Sequence, residues 1–99
     1  MITHIVLLQP KPETTSEELE AVLERVKALK GQIPGLLTVQ AGANRHQANQ
    51  GYTYGFVMQF ESEEHLQAYS PHPAHRAVSP ELRRLCTALL NFDLLQERM

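Results

Sequence analysis

Four consecutive apolar residues, Ile5-Val6-Leu7-Leu8, lie in a segment rich in β-branched side chains, Ile2 to Gln9, that stops at Pro10 and Pro12. Proline donates nothing to a ladder of strand hydrogen bonds, so the segment reads as a strand closed by a turn. Successive side chains of a strand point to opposite faces, which puts Val6 and Leu8 on one side and Ile5 and Leu7 on the other. Both faces of this strand need cover, and what the rest of the chain can supply decides the fold.

Downstream the apolar period changes. Thr15 followed by Glu18 has the form of a capping box, and Leu19, Val22, Leu23, Val26, Leu29 and Ile33 recur at helical spacing until Gly31, Pro34 and Gly35 intervene, which predicts a helix over 16–30. Leu36 to Gly42 reads as a second strand, and residues 43–51, without apolar period, as a surface loop. Tyr52, Tyr54, Phe56, Met58 and Phe60 then alternate with smaller or polar residues and place five large side chains on one face of a third strand. Ser62 with Glu63 and Glu64 starts a helix through Tyr69 that Pro71 and Pro73 interrupt. A further short helix is expected from Ser79 and Pro80, carrying Leu82 and Leu85, and a fourth strand over Leu89 to Leu95.

The predicted order is strand, helix, strand, strand, helix, strand. This is the ferredoxin-like α+β arrangement, one four-stranded antiparallel sheet with its helices on one face. With 99 residues, 42% of them hydrophobic, the chain suffices for a single domain over 1–99 and one modest core. No element is left for the second face of the sheet, so a homodimer packed sheet to sheet is expected.

Nine Lys and Arg against eleven Asp and Glu give a net charge of -2, which offers phosphate backbones and anionic lipid no broad attraction. No nucleic-acid partner is expected. Tyr54-Gly55-Phe56-Val57 matches part of an RNA-recognition strand, but Tyr52 and Thr53 replace its basic residue and glycine, and Gln59 its last aromatic. No stretch nears the roughly 18 apolar residues of a membrane span, and the short apolar N-terminal run has no basic leader. Together with the lone Cys86, this predicts a cytoplasmic protein without a membrane partner.

The densest polar cluster is Tyr69-Ser70-Pro71-His72-Pro73-Ala74-His75, with His4 and His65 elsewhere. Imidazole takes and returns protons near neutral pH, and a tyrosine hydroxyl can hold a carbonyl oxygen, so these residue types suit proton transfer on a carbonyl compound. A rigid turn whose imidazoles satisfy backbone carbonyls would use the same residues. For a metal, His72 and His75 are three apart, and His65 or His46 could add a third ligand. No cysteine or carboxylate stands at a ligand spacing, and Pro71 and Pro73 disrupt a regular helical pair, so no metal is expected. The five glycines are dispersed and form no phosphate loop, so no nucleotide cofactor is expected either. His46 sits among polar loop residues and reads as solvated, and the acids and bases of 13–30 follow the helix dipole.

Ile2-Thr3-His4-Ile5-Val6-Leu7, Ile33-Pro34-Gly35, Gly51-Tyr52-Thr53-Tyr54-Gly55-Phe56, Phe60-Glu61-Ser62 and Tyr69 to His75 with its His-Pro-Ala-His run occur here in order. Together they resemble the stress-responsive A/B barrel (Dabb) family over nearly the whole chain. The resemblance implies a dimeric α/β barrel of two ferredoxin-like subunits. Some members are stress-induced stable assemblies, and a plant member closes a polyketide by aldol condensation, using a tyrosine and the second histidine of the run. By that resemblance His75 is the general base, Tyr69 the carbonyl-binding hydroxyl, and His4 and His72 positioning groups. Tyr54 stands where many relatives have histidine and changes the lining. The first helix also contributes to the plant pocket, and its positions here are Val22, Leu23 and Val26. The function implied is binding of a small, partly apolar carbonyl or hydroxy compound with lyase- or cyclase-type proton transfer. The alternative is a non-catalytic stability or assembly role.

The uncovered sheet face makes a direct demand on solution behaviour: sedimentation at micromolar concentration is expected to show a dimer, and a monomer there would remove the face-to-face pairing.

Overall fold

In the computed structural model, which describes residues 1–96, β1 (Ile2–Pro10) is an inner strand, paired antiparallel with β3 (Tyr54–Phe60) on one edge and β4 (Cys86–Leu95) on the other. β2 (Leu36–Ala43) closes the far side of β3, giving one four-stranded antiparallel sheet in the order β2-β3-β1-β4. α1 (Ser16–Lys27), α2 (Glu63–Tyr69) and α3 (Pro73–Leu85) connect the strands. This is the ferredoxin-like α+β fold expected above.

Register sorts the two faces. Ile2, Val6 and Leu8 lie opposite Phe60, Phe56 and Tyr54 of β3, and all but Tyr54 are buried in the core with Met58 and the apolar stripes of the helices. Ile5 and Leu7 lie opposite Val57 and Gly55 on the other face and are only half-buried. Across β4 that same outer face carries Leu90 and Phe92, opposite Leu7 and Ile5, and Leu94 opposite Thr3; all three leucine and phenylalanine side chains are exposed. β4 therefore reverses the usual pattern: its outward residues are oily, while Asn91 and Asp93 alternate with them on the helix side.

α1 begins as its capping box dictates. The Thr15 hydroxyl accepts from the Glu18 N–H at 3.1 Å, and the Glu18 carboxylate accepts from the Thr15 N–H at 3.0 Å. Leu19, Val22, Leu23 and Val26 are buried. The predicted helix over 16–30 ends at Lys27, and Ala28–Gly31 tighten into a 3-10 turn that brings Leu29 into the core. The Leu29 carbonyl then accepts from the N–H groups of both Gln32 and Ile33, which stops the chain ahead of Pro34.

The prolines do not divide the second helical region where expected. α3 starts at Pro73 instead of Ser79, and Pro80 lies inside it. At the first helical position Pro73 loses a donor that has no partner in any case, and the His72 ring accepts the Ala74 N–H at 3.0 Å as the cap. Pro80 removes one internal hydrogen bond, a cost of about 3 kcal/mol. Val78, Leu82 and Leu85 are buried on this helix, at about 1.5–3 kcal/mol each, so burial outweighs the break. Lys11 N–H and the Thr14 hydroxyl both donate to the Leu85 carbonyl, which satisfies the C-terminal end.

β3 starts at Tyr54, two residues later than predicted, because Gln50 and Gly51 both take positive φ and the Tyr52 N–H closes a turn onto the Asn49 carbonyl at 2.9 Å. β4 starts earlier than predicted, at Cys86. No helix among the described residues is long and apolar enough to cross a membrane.

At Gly35, φ +79, a Cβ would run into the His65 ring. Gly31 has open space around it. Gly35→Ala should destabilise the protein by about 2 kcal/mol or more in urea unfolding, with Gly31→Ala within about 0.5 kcal/mol of wild type; equal effects would refute this account of Gly35.

Candidate functional site

The polar side of β4 and the first turns of α3 face one another across a cavity of about 700 Å³. The sheet contributes His4, Val6, Phe56, Asn91 and Asp93; α2 contributes Leu66 and Tyr69; α3 contributes His75, Ser79, Leu82 and Arg83. Tyr69 ends α2 and His75 lies in the first turn of α3, so the short Pro-containing link between them brings the two rings to 4.4 Å. The His4 ring stands 5.9 Å from the Tyr69 ring, with the edges of Phe56 and Phe60 at 6.5 and 6.4 Å.

The hydrogen bonds fix what each group can do. His75 Nδ1 lies 2.9 Å from the Ser70 carbonyl oxygen. A carbonyl only accepts, so Nδ1 carries the proton, and in the neutral ring Nε2 keeps a bare lone pair. Burial lowers the His75 pKa from its ordinary value; the Ser70 bond opposes this, and the positive charges of His4 and Arg83 add to it. Burial pushes the Tyr69 phenol well above its usual range, so it remains a donor. A base that stays unprotonated thus stands beside an acid that stays protonated.

His4 is held differently. It lies directly opposite Asp93 in the β1–β4 register, and its Nδ1 pairs with an Asp93 carboxylate oxygen. A carboxylate at one imidazole nitrogen orients the ring and its other nitrogen.

Residues 2–95 match the family described as Stress responsive A/B Barrel Domain. The chain belongs to that family. It is 33% identical over 94 residues to olivetolic acid cyclase of Cannabis sativa, covering 93% of each protein. A dimeric ferredoxin-like protein of unknown function from a Jannaschia species superposes with a TM-score of 0.85 at 29% identity, over 96% of this chain and 98% of that one. Hydroxynitrile lyase from Passiflora edulis superposes at 0.88 with 14% identity, over 99% and 94%, which speaks for the fold alone.

Of the five residues expected at a site in this Dabb chain, the cavity gathers His4, Tyr69 and His75. His72 and Tyr54 are elsewhere. The His72 ring is taken up in capping α3, and Tyr54 packs against the core opposite Leu8. Val22, Leu23 and Val26, expected to border the pocket, are buried in the core instead, because α1 lies over the other part of the sheet. His46 accepts the Ala48 N–H within its loop, and His65 hydrogen-bonds Ser62. Among the described residues no three His, Cys, Asp or Glu side chains group as metal ligands. Asp93, Asn91, Ser79 and Arg83 were not anticipated. The signal for the first two is alternation: in Leu89 to Leu95 the polar residues occupy every second position, hence one face.

Because the folded pKa of His75 lies below the unfolded value near 6.5, the unfolded chain takes up a proton that the folded chain refuses as pH falls. This group's contribution to stability is present above pH 6.5 and is lost as pH drops through the folded value. An NMR titration should show a His75 midpoint below 6.5 with the proton of the neutral ring on Nδ1; a midpoint above it, or the opposite tautomer, would contradict the site described.

Proposed function

We propose that the cavity binds a small, partly apolar carbonyl or hydroxy compound and that Tyr69 and His75 carry a proton transfer on it. The observation behind this reading is the pair of rings 4.4 Å apart at the cavity wall, one holding a proton and the other a lone pair. The ligand's carbonyl oxygen accepts from the Tyr69 hydroxyl. His75 Nε2 takes a proton from the neighbouring carbon, the C–H electron pair moves into a carbon–carbon double bond, and the carbonyl electrons move onto the oxygen that Tyr69 stabilises. The resulting imidazolium can return the proton to the same or another atom, which is the elementary step shared by cyclase and lyase chemistry. The cyclase named above, at 33% identity, supports this class of reaction.

The working form in this reading is a homodimer. Leu90, Phe92 and Leu94 form an exposed ridge on β4, and Gly42 opposite Gly55 leaves a shallow hollow on the same face between β2 and β3. A second copy turned about a two-fold axis can set ridge against hollow twice, and the Jannaschia relative is dimeric. We further take residues 1–99 as a single domain and, from the lone buried Cys86, the cytoplasm as its compartment. The non-catalytic stability role is favoured at one position, His72, whose ring serves the backbone.

A thermal-shift screen of small ketones, aldehydes and hydroxy acids, followed by proton NMR of the hits in deuterated water, tests the proposal. Wild type should be stabilised by a carbonyl compound and exchange the proton beside its carbonyl. His75→Ala and Tyr69→Phe should slow that exchange by about 10²–10⁴-fold; hits that stabilise all three proteins equally, with no change in exchange, would overturn it.

A further inference from the structure

α3 turns one row of side chains toward the cavity. His75, Ser79 and Arg83 follow one another at intervals of four residues, which stacks them on one helical face, and all three line the cavity wall. Arg83 stands two turns beyond His75, about 12 Å along the axis. Helical side chains lean toward the N-terminus, which for Arg83 is the direction of Ser79 and His75. Its charge opposes protonation of His75, which places the two within electrostatic reach.

Among the described residues Arg83 is also without an ion-pair partner. Its neighbour Arg84 is paired with Glu81 at 2.9 Å, and Asp93, the carboxylate at the cavity, is taken by His4. The cavity lining therefore combines the Tyr69–His75 pair, apolar side chains that include Leu82 and Val6, and the cationic Arg83.

We propose that Arg83 is a specificity-determining residue that selects ligands carrying a carboxylate, gripped by the guanidinium fork while the ligand's carbonyl or hydroxy group meets Tyr69 and His75. This rests on the reading of the cavity given above and narrows its substrate class to oxo or hydroxy acids with a few carbons between the two groups. The planar fork matches a carboxylate in two-point fashion. A phosphate dianion fits less well. Arg83 lies in the last turn of α3, at the negative end of the helix dipole, where no free backbone N–H groups are offered.

The probes are 4-oxopentanoate, 5-oxohexanoate and 6-oxoheptanoate with their methyl esters, titrated calorimetrically into the full chain. Wild type should bind at least one acid roughly tenfold more tightly than its ester. Arg83→Gln, an exposed position, should bind acid and ester alike, at the ester's wild-type affinity, and Arg83→Lys should fall between. Retention of the acid preference in Arg83→Gln would overturn the proposal. Wild-type binding of acids and esters with equal affinity would overturn it too, with the cavity reading left standing. If wild type binds neither acids nor esters, the cavity reading fails for this ligand class and the role of Arg83 fails with it.

Discussion

Burial of the inner face of β1 and hydrogen bonding along both of its edges organise the rest of the molecule. With β3 on one side and β4 on the other, this strand sets the register that faces Ile2, Val6 and Leu8 toward the helices and Ile5 and Leu7 away from them. The same register puts His4 on the helix side, in a row otherwise apolar, and delivers Asp93 opposite it. One residue of slip would turn His4 out of the cavity and Ile5 into it. The position of a polar group at the cavity is thus a by-product of the hydrophobic pattern that aligns the strand.

The chemistry follows from burial acting in opposite directions on two unlike groups. Removing water disfavours charge: it keeps the Tyr69 phenol protonated and the His75 imidazole unprotonated. Neither shift needs a dedicated charged partner. A shared desolvated wall between α2, α3 and the sheet is enough, which explains how so small a fold can hold both an acid and a base.

Features encoded locally were legible in the sequence. Thr15 and Glu18 act within one turn, and the two-sided apolar run of β1 needs only its own residues to be recognised. The Tyr69 to His75 segment stood out because its chemistry is concentrated in seven residues. What escaped depends on partners far along the chain. Pro80 reads as a helix start until Val78, Leu82 and Leu85 are known to be buried around it. Asp93 gains its role only once β4 is registered against β1, 89 residues away from His4. His72 looked equivalent to His75 in the His-Pro-Ala-His run, yet one ring accepts from a backbone N–H and the other donates to a backbone carbonyl. That difference is set by where each residue falls relative to the start of α3, not by residue type.

The Ser70 carbonyl that receives the His75 proton belongs to the main chain. Any amino acid at position 70 presents the same oxygen, so the tautomer of the base is immune to side-chain replacement there and answers only to the path of the backbone between α2 and α3. Position 70 can therefore change its side chain while the orientation of the lone pair is inherited intact.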